Sequence, residues 1–383
     1  MLEFEPHRGF GVYIHWPYCA KICPYCDFNV YAAKQRDVAP LLSAIEKDLT
    51  TWREKTGPRQ VDTIFLGGGT PSLIPPKEVK YLIDVIASMW GLAPDVEISL
   101  EANPDDRSAF VGLAKAGINR LSLGVQSLNN DALKFLGRNH NAEEALRAIE
   151  EARSAFPSLS LDFIYALPRQ NLIEWKQELS GIIDLKADHL SLYELTIEQR
   201  TAFGKAVGRG EWQPADDDTA ADLYEITQEM MCEAGYPAYE ISNHAISSQH
   251  HAQHNLVYWN SGDWLGIGPG AHGRVTIDGN RYETVAERRP EKYISVVEDT
   301  ALGLASQNIL TIEDVANERV MMGLRKTSGI SKSDFEVLVG RKFNQETLSE
   351  FIDDGLLEET DNNLQLTPAG RLLADYVSSR LVL

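Results

Sequence analysis

Residues 10 to about 200 alternate short runs of β-forming residues with longer segments of helical period. Strands that alternate with helices pair in parallel, because each helix supplies the crossover that a parallel pair requires. Six such steps therefore predict an α/β protein built on an open or partial barrel. The predicted strands are Gly11–His15, Val61–Gly67, Val96–Glu101, Arg120–Gln126, Leu159–Leu167 and His189–Leu195. The predicted helices are Asp37–Lys55, Pro76–Trp90, Asp106–Ala116, Ala142–Phe156 and Leu172–Leu185.

A cysteine motif follows the first predicted strand. Cys19, Cys23 and Cys26 fall within eight residues of a 383-residue chain, a poor distribution for a disulfide framework, so metal ligation is the better interpretation. Parallel α/β folds carry functional groups at the carboxyl ends of their strands, which is where this motif lies. Three thiolates can hold a [4Fe–4S] cluster and leave one iron open to the amino and carboxylate groups of a methionine-derived ligand.

The cysteines have two other interpretations. They could form a zinc site completed by a histidine such as His15, or be three unrelated core thiols. Their spacing in the first βα loop, however, resembles the CxxxCxxC motif of the radical-SAM superfamily, in which the cluster engages S-adenosylmethionine. Tyr25 matches the aromatic residue that the superfamily usually has before the third cysteine. The fourth cysteine, Cys232, stands alone in a helical context and is predicted to be a small core residue.

Candidate S-adenosylmethionine contacts follow the later strands. Gly68, Gly69 and Thr70 are similar to the superfamily's GGE-like motif, which receives the methionine amino group. Glu101 can accept hydrogen bonds from ribose hydroxyls, and Arg138 can pair with the methionine carboxylate. The alternative for the glycine run is a tight turn. The alternative for Glu101 is a carboxylate in solvent, and that for Arg138 is a surface arginine. The remaining predicted contacts are Tyr13, Gln126 and Asp162.

Beyond the barrel, predicted as residues 1–235, the pattern changes twice. Residues 236–305 are predicted to be an appended region that starts with a strand at Ala238–Ile241, after a helix near Thr219–Ala234. Residues 306–383 predict a winged-helix-like α+β domain. Its predicted elements are helices near Ile312–Gly323, Ser331–Val339 and Asn344–Asp354, a hairpin around Asp361–Asn363 and a last helix from Pro368.

Charge bears on the partners of the protein. The formal net charge of −20, and the 8 Lys or Arg against 13 Asp or Glu in residues 311–383, argue against nucleic acid and favour a protein-contact or lid role for the C-terminal domain. No uninterrupted run of about 18 apolar residues predicts a transmembrane segment, and no signal peptide is apparent at the N-terminus. We therefore expect a cytoplasmic protein.

Histidine is concentrated in the appended region. His254, Tyr258 and Trp259 lie in the run His-Asn-Leu-Val-Tyr-Trp; an imidazole can ligate heme iron, and aromatic faces can cover a porphyrin. A structural histidine with two core aromatics is the alternative. A histidine metal site is a further interpretation, although the spacing gives no clean pair of ligands. Its members would be His244, His250, His251 and His272.

The runs GVYIHWPYCAKICPYCDF, FLGGGTPS, SLEANP and SLGVQS resemble the family of oxygen-independent coproporphyrinogen III oxidases and HemW-type heme chaperones across essentially the whole chain. The resemblance implies a partial (β/α)6 radical-SAM barrel, a cluster at its top and a C-terminal domain over part of the opening. Oxidases of the family usually have a further cysteine where this chain has Phe28, and a longer segment before the cluster, whereas HNxxYW is associated with heme binding in the chaperones.

The resemblance therefore implies a heme chaperone with three cofactors: a [4Fe–4S] cluster, S-adenosylmethionine and heme. The expected partner is a heme-acceptor protein, and a homodimer is among the expected assemblies. The alternative is an oxygen-independent coproporphyrinogen III oxidase, which would decarboxylate porphyrinogen propionates by radical chemistry.

Overall fold

The computed structural model describes residues 9–32 and 38–382. The strands are β1 (Phe10–Trp16), β2 (Tyr18–Cys19), β3 (Tyr31–Ala32), β4 (Val61–Gly68), β5 (Leu92–Ala102), β6 (Arg120–Gln126), β7 (Ser158–Tyr165), β8 (His189–Glu194), β9 (Asn243–Ala245), β10 (Asp263–Ile267), β11 (His272–Ile277), β12 (Asn280–Ala286), β13 (Leu304–Ile309), β14 (Ile330–Ser331), β15 (Leu357–Glu359) and β16 (Asn363–Leu366). The α-helices are α1 (Ala39–Thr56), α2 (Pro76–Trp90), α3 (Phe110–Ala116), α4 (Asn130–Phe135), α5 (Ala142–Ala155), α6 (Leu172–Asp184), α7 (Ala202–Gly208), α8 (Asp217–Glu233), α9 (Gln253–Trp259), α10 (Pro290–Thr300), α11 (Ile312–Gly323), α12 (Lys332–Val339), α13 (Gln345–Asp353), α14 (Pro368–Leu372) and α15 (Ala374–Leu381).

One sheet of 11 strands organises the described residues from Gly9 to Ile309. Its strands run in the order β13-β12-β11-β10-β1-β4-β5-β6-β7-β8-β9, and the six strands from β1 to β8 in that order are parallel neighbours. Helices α1, α2, α3, α5 and α6 connect them and bury apolar faces in the same core as the strands. The predicted α/β barrel of six parallel strands is confirmed, and Asp37, where the first predicted helix begins, lies outside the described residues.

The region after the barrel extends the same sheet rather than standing apart from it. Strand β10 pairs in parallel with β1 from Phe10↔Asp263 to Ile14↔Ile267, and β11, β12 and β13 add antiparallel strands beyond it. The strand predicted at Ala238–Ile241 is wrong: these residues form bends with one isolated bridge, and β9, which begins at Asn243, pairs with β8 instead.

The C-terminal residues have a hydrophobic core of their own. Helices α11, α12, α13 and α15 pack around a three-stranded antiparallel sheet in the order β14-β16-β15. Fully buried Leu364 on β16 and Phe351 on α13 belong to this core. The turn between β15 and β16 is the predicted hairpin, and the helical segments fall close to their predicted positions.

Cys232 contradicts its predicted core position, because the thiol is exposed. Helix α8 buries Leu223, Thr227 and Met231, a helical stripe with spacings of four residues. Cys232 is the residue after Met231 and therefore lies off that stripe. Among the described residues, no helix is both long and apolar enough to cross a membrane.

Candidate functional site

The cysteine loop closes one end of a cavity of about 630 Å³ at the carboxyl ends of the barrel strands. Cys19 ends β2, and Cys23 and Cys26 lie in the turn that follows, where the Cys26 N–H donates to the Cys23 carbonyl at 3.1 Å. All three cysteines line the cavity. The loop returns through β3, which pairs with β2 at Tyr18↔Tyr31. The three thiols therefore face one cavity from a short loop that is held by backbone hydrogen bonds.

The donor arrangement fits a cluster better than a single zinc ion. Both ring nitrogens of His15 are already engaged, Nδ1 with the Tyr13 hydroxyl at 2.9 Å and Nε2 with the Asn29 carbonyl at 3.0 Å. Within residues 9–32 and 38–382, no three His, Cys, Asp or Glu side chains gather closely enough to hold a single metal ion. A cubane separates its thiolates more widely than one tetrahedral ion does, so three cysteines around one cavity suit it.

The glycine loop after β4 is joined to the cysteine loop. The Gly69 N–H donates to the Trp16 carbonyl at 2.6 Å, and the Thr70 N–H donates to the Tyr18 carbonyl at 2.9 Å. A Cβ atom on Gly69 would lie 2.6 Å from the Tyr18 carbonyl oxygen, so only glycine permits this approach. Gly68 has a φ of 104°, which also favours glycine. Gly68, Gly69 and Thr70 all line the cavity.

Two of the acidic side chains that line the cavity, Glu101 and Asp162, lie on neighbouring parts of the barrel strands. Glu101 accepts a hydrogen bond from the Gly68 N–H at 2.9 Å, and Asp162 accepts one from the Ser122 hydroxyl at 2.7 Å. Burial raises the pKa of Glu101 to about 7, against the hydrogen bond from Gly68 that lowers it. Burial likewise raises the pKa of Asp162, and its serine partners oppose the shift. Both carboxyls thus line the cavity with at least one oxygen engaged by a hydrogen bond from the protein.

Arg138 connects the far side of the cavity to the cysteine loop. Its Nη1 lies 3.4 Å from the Cys23 sulfur, and its Nη2 donates to the Gly124 carbonyl at 2.9 Å and to the Asn103 carboxamide. Gln126, at the end of β6, has a φ of 72°, an uncommon value for a residue with a side chain, and it lines the same cavity.

Of the predicted S-adenosylmethionine contacts, Tyr13 is the one that does not line the cavity in the described structure. Its ring instead stacks on Phe65, at 6.1 Å between centroids, and its hydroxyl meets His15. The seven other predicted contacts are brought together. They are Gly68, Gly69, Thr70, Glu101, Gln126, Arg138 and Asp162.

A polar floor beneath these residues was not recognised in the sequence. Each of the four consecutive strands β5, β6, β7 and β8 contributes two polar residues to the cavity lining, and the two residues are two positions apart. The pairs are Ser99 and Glu101, Arg120 and Ser122, Ser160 and Asp162, and His189 and Ser191. Because alternate strand residues face the same side, this period-two repeat of polar residues was the available signal.

His254 lies on the short helix α9, which closes the amino-terminal end of the barrel. The imidazole is buried, with Nδ1 at 2.7 Å from the Thr63 hydroxyl and Nε2 at 2.7 Å from the Tyr258 hydroxyl. Burial lowers the pKa of His254 to about 3, so the ring is neutral. The carboxylate of Glu97 accepts the backbone N–H groups of Gln253 and His254, each at 3.1 Å, and thereby anchors the start of the helix.

The end of α9 contacts the C-terminal domain. The guanidinium of Arg325 lies 4.9 Å from the centre of the Trp259 ring, and the Lys326 ammonium donates to the Asn260 carboxamide at 2.7 Å. Tyr258 packs edge-on against Trp264 at 4.7 Å between centroids. The residues of the His-Asn-Leu-Val-Tyr-Trp run therefore have different surroundings. His254 is buried against the barrel strands, whereas Trp259 contacts the C-terminal domain.

The four histidines of the predicted metal site do not gather around one metal position in the described structure. His244 is buried and bonds the Tyr236 carbonyl through Nδ1 at 3.2 Å, while His251 stacks on Tyr239 with ring centres 3.9 Å apart. His272 is exposed at the start of β11. The described structure gives no support to the histidine metal site that the sequence left open.

Comparison with known proteins identifies the family. Residues 13–180 match the Radical SAM superfamily, and residues 310–373 match the HemN C-terminal domain. The heme chaperone HemW of Bacillus subtilis is 35% identical over 96% of this chain and 97% of its own length, and that of Escherichia coli is 38% identical over 97% of each chain. The chain belongs to the HemW family of radical-SAM proteins.

Within this superfamily a [4Fe–4S] cluster works with S-adenosylmethionine, and the three cysteines and the cavity beside them fit both. The solved coproporphyrinogen III oxidase HemN of Escherichia coli is 22% identical and superposes with a TM-score of 0.82 over 98% of this chain and 91% of that chain. This chain thus shares the fold of that oxidase from the barrel to the C-terminal domain.

Proposed function

We propose that the protein is a heme chaperone, which binds heme at the segment containing His254 and passes it to an acceptor protein. The observation that carries the proposal is the full-length similarity to curated heme chaperones, in a chain that has the HNxxYW run on α9. Phe28 supports the same conclusion. It lines the cavity mouth with 59% of its side chain exposed, at the position where the related oxidases are expected to have a further cysteine.

The proposed cofactor contacts follow from the cavity. Cys19, Cys23 and Cys26 would hold the cluster, and the glycine loop with Glu101 and Arg138 would orient S-adenosylmethionine beside it. When bound, the reduced cluster can supply one electron to the sulfonium. Of this chain's own residues, Glu101 offers an acceptor to ribose hydroxyls and Arg138 offers donors to a carboxylate.

Heme binding requires a rearrangement around His254. Both imidazole nitrogens are hydrogen-bonded in the described structure, so an iron–imidazole bond must replace the contact with Thr63 or the contact with Tyr258. Replacing one neutral hydrogen bond costs about 1 kcal/mol, which is small beside the affinity of a ligand bound at micromolar concentration. The ring is neutral already, so no proton has to leave.

The experiment is an anaerobic hemin titration of the cluster-reconstituted protein, followed by Soret absorbance. We expect saturable binding to the wild type, binding weakened at least tenfold in His254→Ala, and unchanged binding in His272→Ala, which removes an exposed histidine. Equal affinity of all three proteins would contradict the proposed ligand. Transfer is tested by mixing the hemin-loaded protein with a heme-depleted extract and following the loss of its Soret band.

The oxidase is the second candidate, because the cavity continues below the proposed S-adenosylmethionine contacts to the polar floor at Ser99 and Ser160. A second ligand could occupy that space. Anaerobic incubation with coproporphyrinogen III, reductant and S-adenosylmethionine tests it, and formation of a decarboxylated porphyrinogen would favour this candidate. The acceptor protein, a homodimer and a cytoplasmic location stay part of the proposal.

A further inference from the structure

The guanidinium of Arg138 is a positively charged group that contacts one of the three cysteines. Its Nη1 lies 3.4 Å from the Cys23 sulfur. At the same time its Nη2 is held by the Gly124 carbonyl, at 2.9 Å, and by the Asn103 carboxamide. Because the guanidinium is planar and rigid, fixing Nη2 also fixes the direction of Nη1. The contact with the sulfur is therefore set by the cavity wall.

The cysteine loop is packed against the segment that carries Arg138. Gly137 has a φ of 72°, and a Cβ atom at this position would lie 2.7 Å from Cδ of Pro24, so glycine permits the close approach. A further contact comes from α7, where the Phe203 N–H donates to the Pro24 carbonyl at 2.9 Å. The Phe203 ring lies 6.3 Å from the Tyr25 ring, between centroids. Packing on both sides of Pro24 thus keeps the loop beside the guanidinium.

Arg138 keeps its positive charge in this position. Within the described residues its hydrogen-bond acceptors are a carbonyl, a carboxamide and a sulfur, and none is a carboxylate. Burial lowers the pKa of Arg138, but Tyr25 and Cys23 raise it by more, so the group stays protonated. Lys21 and Asp27 also line the cavity from the cysteine loop, but they are exposed and opposite in sign. Solvent screens exposed charges more than buried ones.

A fixed cation beside a cluster thiolate acts on the reduction potential of the cluster. One-electron reduction, by an external electron donor, adds one negative charge to the cluster and its thiolates. A nearby positive charge and an N–H···S hydrogen bond both favour the state with the additional negative charge. Glu101 acts on Cys19 in the opposite direction to Arg138, but its pKa of about 7 leaves it only partly ionised at neutral pH. The sum of these charges favours reduction.

We propose that Arg138 raises the reduction potential of the [4Fe–4S] cluster through its contact with the Cys23 sulfur, in addition to its expected contact with S-adenosylmethionine. This role goes beyond heme binding and does not depend on it. It rests on the proposed assignment of Cys23 to the cluster.

The test is an anaerobic redox titration of cluster-reconstituted proteins without S-adenosylmethionine, with dithionite as the reductant and the EPR signal of the reduced cluster as the readout. Arg138→Gln removes the charge and keeps a polar side chain. We expect it to lower the ratio of reduced to oxidised cluster about tenfold or more at a fixed potential, a shift of about 59 mV or more to more negative potential for one electron. Arg138→Lys keeps the charge and should stay within about threefold of the wild type. The control Arg147→Gln, at an exposed position of α5, should stay within about twofold.

A second variant leaves Arg138 in place, should loss of the guanidinium disturb folding or cluster loading. Asn103→Asp puts a carboxylate where the carboxamide now accepts from Nη2, and aspartate can still cap the 3₁₀ turn that begins at Pro104. The carboxylate offsets the Arg138 charge, so the ratio of reduced to oxidised cluster should fall about threefold or more. Asn103→Ser, which keeps an uncharged cap, should stay within about twofold of the wild type.

The outcomes separate the role of Arg138 from the assignment of Cys23. If Cys23→Ala keeps the iron content and EPR signal of the wild type, Cys23 is not a cluster ligand and the role of Arg138 fails with it. If Cys23→Ala loses the cluster but Arg138→Gln and Asn103→Asp titrate as the wild type does, only the role of Arg138 is overturned. A shift as large in Arg138→Lys as in Arg138→Gln would also overturn it, because charge would then not be the cause. Hemin titration bears on none of these outcomes.

Discussion

The Nε2 atom of His254 lies 2.7 Å from the hydroxyl oxygen of Tyr258, one helical turn later on α9. The two residues occupy positions i and i+4, which face the same side of a helix, so the spacing of the motif itself brings them together. The Tyr258 hydroxyl engages Nε2, and the Thr63 hydroxyl engages Nδ1. The motif therefore contains both the proposed heme ligand and a group that hydrogen-bonds to it in the described structure.

Tyr258→Phe should consequently have opposite effects on stability and on heme binding. Loss of the buried hydrogen bond should lower the free energy of unfolding by about 1–2 kcal/mol. If iron binds Nε2, the freed nitrogen should raise hemin affinity several-fold, as Soret titration would measure. Thr63→Val, which frees Nδ1, is the comparator, and the variant with the larger gain identifies the ligating nitrogen. Tighter binding in neither variant would show that neither hydrogen bond opposes heme.

The sequence predicted the cavity better than its floor. Cys19, Gly68 and Glu101 end successive βα units, and parallel strands necessarily bring such ends to one side of the barrel. Helix α9 could not be predicted in the same way. It has only seven residues, and its position depends on contacts with Glu97 and Thr63, which are more than 150 residues away in the chain. Such a short helix is held by tertiary contacts rather than by its own periodicity.

The wrong prediction for Cys232 shows a different limit on what was inferred from the sequence. A general preference of cysteine for the interior predicted burial, whereas the local stripe of α8 determines its exposure. The stripe was readable in the sequence, so this error came from weighing residue type above helical position. Polar residues at alternate positions of the barrel strands were likewise readable and predict the floor of the cavity.

Acidification should destabilise the protein in part through His254. The pKa of the buried imidazole is about 3, below its value of about 6.5 in an unfolded chain, so only the unfolded state takes up this proton between these values. Stability is therefore lost as the pH falls below 6.5, by at most about 1.4 kcal/mol per pH unit for this group. Thermal unfolding of the wild type and of His254→Gln at pH 7.5 and 5.5 measures this loss of stability. The variant should lose less stability on acidification, and an equal loss would contradict the burial argument.

The titration of Asp48 should lower the stability of the protein as the pH rises, opposite to the effect of His254. Its carboxyl is buried between α1 and α10 and accepts a hydrogen bond from the Tyr293 hydroxyl at 2.6 Å. Burial raises its pKa to about 7, so the folded state holds a proton that the unfolded state has lost above about pH 4. This contribution is present at low pH and declines as the pH rises toward 7. Asp48→Asn should therefore gain stability relative to the wild type between pH 5 and 8 in thermal unfolding. A constant difference across that range would exclude this titration.

Glu101 provides a pH-dependent test of the S-adenosylmethionine site. Burial first, and the charge of Asp162 to a lesser extent, raise the pKa of Glu101 to about 7. An ionised carboxylate is the stronger acceptor for ribose hydroxyls, by about 1.5 kcal/mol or more over a neutral group. The wild type should therefore bind S-adenosylmethionine about as tightly as Glu101→Gln at pH 6 and about tenfold more tightly at pH 8. Equilibrium dialysis of cluster-reconstituted proteins measures the ratio, with iron content as the control for cluster loading. A ratio that stays the same from pH 6 to pH 8 would mean that the Glu101 charge does not contact the ligand.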